Sequence, residues 1–161
     1  MVKLIKKNNV KKEVALLIPE ERQFINRIYC NISDYRRKGK TEDWIAKRIN
    51  GKVIRNRFIT CLMNHGVATS LGFKICTIAI YKYLHGRSIA IIRKKMNLPN
   101  NANIRDNMSV TELSAIEFIE SLSIDCIERL NARGSNECES IICKSAKLVA
   151  ETIMNSRKTI G

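Results

Sequence analysis

The chain has 161 residues and a formal charge of +14. That is length enough for one domain or two small ones, and for a core that needs neither metal nor disulfide to complete it. Two prolines and seven glycines exclude a loop-rich or disordered chain, and without alternating Val/Thr-rich runs the expected fold is all-α. The charge is uneven: residues 1–105 carry 23 Lys+Arg against 6 Asp+Glu, and residues 106–161 carry 6 against 9. A polyanion-binding half joined to a half with another task is the expected organisation.

The start, MVKLIKKNNVKKEVALLIPEE, has a basic head but only a short apolar run, Val14 to Ile18, which is too little for a signal-peptide core. Residues 1–18 are expected to be a basic arm, either tracking a nucleic acid or simply fraying. No uninterrupted apolar run approaches the roughly twenty residues needed to span a bilayer, so no membrane partner is expected. The six cysteines show no CxxC spacing. They read as reduced thiols of a cytoplasmic protein.

Pro19-Glu20-Glu21 opens a first helix, with proline at its first position and carboxylates where the helix dipole favours them. Phe24, Ile25, Ile28, Tyr29, Ile32 and Tyr35 recur at helical spacing, and Arg36-Arg37-Lys38-Gly39 supplies cations and a stop. Thr41 can cap the next helix. The stretch TEDWIAKRINGKVIRNRFITCLMN, 41–64, reads as two short helices broken at Asn50-Gly51. Trp44, Ile45 and Ile49 share one face of the first, and Ile54, Phe58, Ile59 and Leu62 one face of the second. The faces left over carry Lys47, Arg48, Lys52, Arg55, Asn56 and Arg57. Two helices joined by a tight turn, with cations on the exposed side of the second, are a way to present a helix to a nucleic-acid groove.

Residues 66–76 have two glycines and no strong period, and read as a connector. A helix is expected over 77–85, broken by Gly86. A further helix capped by Ser88 ends in Arg93-Lys94-Lys95 and is stopped by Pro99 and the Asn-rich run. This second helix–glycine–helix with cations allows a second nucleic-acid contact. Residues 97–107 are the expected boundary between a basic region, 19–105, and a C-terminal region, 106–161. There Ser109-Val110-Thr111-Glu112 is a capping box. It opens a helix to about Arg133 with Leu113, Ile116, Ile119, Leu122, Cys126, Ile127 and Leu130 in a stripe. After Gly134, Ser135 can cap a last helix carrying Cys138, Ile141, Ile142, Ala146, Val149 and Ile153. So short a turn predicts a long antiparallel hairpin, which either packs on the basic half or pairs with a second copy through residues 109–155.

The segment IAKRI, 45–49, resembles the first helix of bacterial helix-turn-helix regulators, although Asn50 stands where that pattern has glycine and Asn56 where it is apolar. The longer run from Tyr81 to Glu128 resembles a segment of phage and prophage proteins, the KilA-N, BRO or antirepressor-like regulators. The matching residues are Tyr83-Leu84-His85-Gly86, Arg93 to Lys95, Ile104-Arg105-Asp106-Asn107-Met108-Ser109, and Glu112 with Glu117. The resemblance implies a mobile-element origin and a regulatory, DNA-directed role.

No phosphate loop, HExxH, GxSxG or paired-carboxylate signature appears, so neither catalysis nor a cofactor or metal is expected. His65 and His85 each stand beside a glycine at a helix end, where capping explains them, and Arg105-Asp106 is explained by a bridge between helices. Arg55 and Asn56 are the candidate base readers, since Arg suits guanine and Asn adenine. Lys47, Arg48, Lys52, Arg57, Arg93, Lys94 and Lys95 are the candidate phosphate contacts. The sequence thus points to a homodimeric DNA-binding regulator. A module that docks on an acidic host or phage protein is the alternative.

Overall fold

The computed structural model describes residues 19–160, with side chains from Gln23 onward; the arm expected over 1–18 lies outside the described residues. All regular structure among them is helical: α1 (Pro19–Arg37), α2 (Glu42–Asn64), α3 (Ser70–His85), α4 (Ile89–Lys95), a 3-10 turn (Ile104–Asn107), α5 (Val110–Leu130) and α6 (Gly134–Ile160). None of these helices is long and apolar enough to cross a membrane. Packing divides the described chain into residues 19–45 and residues 46–160, and α2 runs through the border.

The smaller unit is organised by its helix ends. Gly39 adopts φ +71° and lets the chain turn out of α1, the conformation a side chain would resist. Thr41 Oγ1 then accepts from the Trp44 N–H at 3.3 Å to start α2. Arg36 donates to both oxygens of Glu42, at 2.7 Å each, across the turn. Tyr35 and Trp44 meet edge to face with ring centroids 5.0 Å apart, and Lys40 Nζ stands 4.4 Å from the Trp44 ring centroid.

In the larger unit α6 lies more extensively against α3 than against α5. Three neighbours fix their relation: Ser135 lies against Gly72, Cys138 lies near Cys76, and Cys143 lies near Tyr83. Sequence number rises along both helices together, so α3 and α6 run parallel. Their buried residues are mostly small, Gly72, Cys76 and Ala79 on α3 with Cys138, Ser145 and Ala146 on α6, and small side chains let two helix axes approach. Buried Phe58, Leu62, Ile80, Ile116, Ile119, Ile127 and Ile142 supply the bulk of the core. At roughly 25 cal/mol per Å² of apolar area, this burial is the main stabilising term. Burial holds the Cys61 and Cys76 thiols at about 11, so they act as small core hydrophobes.

The loop after α5 caps α2 at long range. Arg133 donates to the Asn64 carbonyl at 2.9 Å, the Gly134 N–H to the His65 carbonyl at 2.8 Å, and His65 Nδ1 lies 2.8 Å from the Ala132 carbonyl. Carbonyls that a helix end leaves unpaired are thereby satisfied.

Several expectations are corrected. The break at Asn50-Gly51 is absent: α2 is one helix of 23 residues, and Gly51 is not among the glycines with positive φ. Contacts on both sides of Gly51 keep the helix whole. Lys47, Arg48 and Asn50 before it and Arg55 after it all bond to carboxylates of the 106–120 segment. That outweighs the roughly 1 kcal/mol a helical glycine costs. The helix expected to begin at 77 begins at Ser70, because Thr69 Oγ1 accepts from the Gly72 N–H at 3.0 Å and caps it. The helix expected to run to Arg133 stops at Leu130, where Asn131 turns left-handed. The charge boundary near residue 105 falls inside the larger unit, since Arg105 pairs with Glu120 and α3 packs on α6. The capping box at Ser109 is present in full.

Continuity of α2 has a direct test. A Cβ built on Gly51 meets nothing within 4 Å. Gly51→Ala is therefore expected to stabilise the protein by about 0.5–1 kcal/mol in urea unfolding. Destabilisation would instead place Gly51 in a turn.

Candidate nucleic-acid interface

Residues 46–105 contain twelve Lys/Arg and no Asp or Glu, so every carboxylate that neutralises them comes from elsewhere in the chain. Three such carboxylates sit on the 3-10 turn and on α5. Glu120 is fully buried, 0% exposed, in the stripe formed by Ile116, Ile119, Ser123, Ile124 and Ile127. Arg105 grips it in two places, Nη2 to Oε1 at 2.6 Å and Nη1 to Oε2 at 3.3 Å. Arg105 Nε also donates to the Tyr81 hydroxyl at 2.9 Å. Arg55 Nη1 adds a third bond to Glu120 Oε1 at 3.1 Å, and its Nη2 donates to Thr77 Oγ1 at 2.7 Å. Burial works against the Arg105 charge, but the Glu120 carboxylate and Tyr81 hydroxyl overcome it and hold the guanidinium above its ordinary value. Such a group is ionised at every working pH.

The other two carboxylates hold the start of α2. Arg48, 4% exposed, donates from Nε to Asp106 Oδ1 at 2.7 Å. Lys47 Nζ lies 3.1 Å from Glu117 Oε2, and the Asn50 amide donates to Glu117 Oε1. Arg105 and Asp106 thus each bridge helices, with different partners.

These contacts redistribute the candidate residues. Lys47, Arg48 and Arg55 were expected on a solvent face and are turned inward onto carboxylates. The physical reason is that α2 packs through both polar and apolar faces, so its cations have buried partners to reach. Lys52 is half-buried. Burial first, and the neighbouring Arg48 charge second, pull its ammonium below the ordinary lysine value. Asn56 and Arg57 are exposed, but Arg55 cannot accompany Asn56 as a base reader while it holds Glu120. Arg93 is half-buried and donates to the Ala102 carbonyl at 3.4 Å. Lys94 and Lys95 are exposed.

What remains is a basic corner built from α3 and α4. α3 ends at His85, Gly86 takes φ 62°, and Ser88 caps α4 by accepting from the Ile91 N–H. Ile92 is buried and seats α4, which leaves its last turn, Arg93 to Lys95, at the rim. Asn97, at φ 53°, turns the chain away, and the Leu98 N–H closes back on the Arg93 carbonyl at 3.0 Å. Lys82 and Arg87 join Lys94 and Lys95 as exposed cations of this corner. None of the four is ion-paired among the described residues. The sequence reading missed Lys82 and Arg87; their signal was their place on either side of Gly86, the glycine that makes the corner. No family model matches the chain, and no curated protein matches it significantly.

Proposed function

We propose that this protein is a DNA-binding regulator whose polyanion contact is the α3–α4 corner rather than a helix-turn-helix over 41–64. The observation that carries the reading is the sorting of charge. Asp106, Glu117 and Glu120 neutralise inward-facing cations, while Lys82, Arg87, Lys94 and Lys95 stay in solvent on either side of one glycine turn. Unpaired surface cations are what collects phosphates, and Arg87 and Lys95 line one cavity. The resemblance of residues 81–128 to phage regulatory proteins favours a mobile-element setting. Asn56 and Arg57, exposed on α2, stand as further contacts.

Four phosphate contacts imply a log–log salt slope of roughly −3.6, so affinity for duplex DNA should fall about a hundredfold between 50 and 200 mM salt. The Lys94→Ala/Lys95→Ala double variant is expected to lower affinity for all sequences alike and to flatten that slope by roughly 2. Fluorescence anisotropy at several salt concentrations reads both. Affinity that is flat in salt overturns the reading.

A second reading, docking on an acidic protein, is favoured by the exposed apolar side chains of Met63, Leu71 and Phe118, which a DNA contact leaves unused. A stoichiometric protein partner that survives nuclease treatment, together with salt-independent DNA binding, would select it.

A further inference from the structure

The basic corner encloses a cavity of about 200 Å³ lined by His85, Arg87, Ile92, Lys95, Met96 and Glu112. That is smaller than the roughly 300–1,000 Å³ of pockets that hold drug-sized ligands, and it suits one heteroaromatic ring. The lining is mixed in a particular way. Arg87 and Lys95 are exposed cations at its mouth, shared with the phosphate-collecting surface. Ile92 and Met96 give apolar walls. Glu112 brings a carboxylate whose two oxygens are differently used. Oε2 accepts from the Ser109 N–H and hydroxyl, both at 2.8 Å, in the capping box. Oε1 lies 3.9 Å from His85 Nδ1, beyond hydrogen-bond range. Burial, aided by the Lys95 charge and opposed by Glu112, holds the His85 imidazole below its ordinary value. At neutral pH the ring is therefore uncharged and does not cancel the carboxylate. An acceptor, two apolar walls and two cations at the rim are the three things a nucleotide asks for: a partner for an amino group, a slot for the ring, and countercharge for the phosphate.

We infer that this cavity receives one unpaired nucleobase bearing an exocyclic amino group, with Glu112 Oε1 accepting from the amine and Arg87 and Lys95 holding the adjoining phosphate. The inference rests on the nucleic-acid reading and adds to it a preference for cytosine over uracil. These two bases have nearly the same shape but present a donor and an acceptor, respectively, at the same ring position.

Glu112→Gln makes the test sharp, because glutamine also serves in a capping box and so keeps α5 started. With its oxygen retained by Ser109, the glutamine turns an NH₂ donor toward the cavity where the carboxylate had an acceptor. Single-stranded deoxycytidine and deoxyuridine oligomers of equal length, titrated at pH 7.5 and equal salt, should differ by fivefold or more in favour of cytidine. In Glu112→Gln the preference should vanish or reverse, with melting temperature checked alongside. Equal affinity for the two oligomers in the wild-type protein, or a preference unchanged by Glu112→Gln, overturns the inference while leaving salt-dependent duplex binding intact. Absence of binding to any oligomer or duplex at low salt overturns both.

Discussion

Glu120→Ala is expected to destabilise the protein by about 3–5 kcal/mol, because it strands a buried guanidinium that three elements have been arranged to satisfy. Arg105 would lose both bonds to the carboxylate and keep only the Tyr81 hydroxyl, while Arg55, 26% exposed, could turn partly to water. The loss is not a measure of what the pair contributes over an apolar core. Replacing both partners, as in Glu120→Leu with Arg105→Met, removes the stranded charge along with the carboxylate. The double variant should therefore be more stable than the sum of the two single changes implies, by up to about 3 kcal/mol. Urea unfolding of the four proteins gives the cycle. Strict additivity would show that Arg105 and Glu120 do not act as a unit.

The second large effect is expected at Gly72, where α3 meets the start of α6. A Cβ there would stand 2.4 Å from Ser135 Oγ, 3.0 Å from Val67 Cγ1 and 3.2 Å from Thr69 Oγ1. The last of these atoms is the cap of α3, so relief in that direction loses the hydrogen bond that starts the helix. Gly72→Val should cost about 3 kcal/mol, the upper part of the range for overpacking a well-filled site. Gly72→Ala should cost less, since a serine hydroxyl can rotate and alanine is the better helix former. Ser135→Gly in the Gly72→Ala background should recover part of the loss by removing the tightest contact. Thermal melts of the three variants check the order. The same glycine-to-alanine change is expected to help at Gly51 and to harm at Gly72, and only the neighbours differ.

That contrast also explains how far the sequence could be read. Helix ends announce themselves locally: Ser109 with Glu112, Ser88 before Ile89, and the glycines at 39 and 86 all stand where the structure uses them. The all-α class comes from the same local signals. Gly51 does not announce itself. A glycine flanked by polar residues looks like a turn unless one knows that Asp106, Glu117 and Glu120, more than fifty positions later, clamp the helix on either side of it. For the same reason Arg48 and Arg55 were legible as cations and illegible as partners of distant carboxylates. A helical wheel assigns polar side chains to solvent when no partner is in view. Glu120 did carry a signal. A carboxylate among Ile116, Ile119, Ile124 and Ile127 is buried by its spacing, and a buried acid requires a buried base. Lys94 and Lys95 are exposed as their sequence context suggests, because so little of a short helix seated by one isoleucine can face inward.

The carboxylates beyond residue 105 impose an order on how the chain completes itself. Residues 46–105 leave the ribosome as a run of cations with no acid among them, and in that state mutual repulsion opposes any compact arrangement. The counterions arrive only with Asp106, Glu117 and Glu120. The loop that caps α2, and the helix that covers α3, come later still. Contacts of such sequence separation are slow to close and cannot be formed piecemeal. The contacts that hold α2 in the larger unit can therefore close only once residues 106–134 have been made.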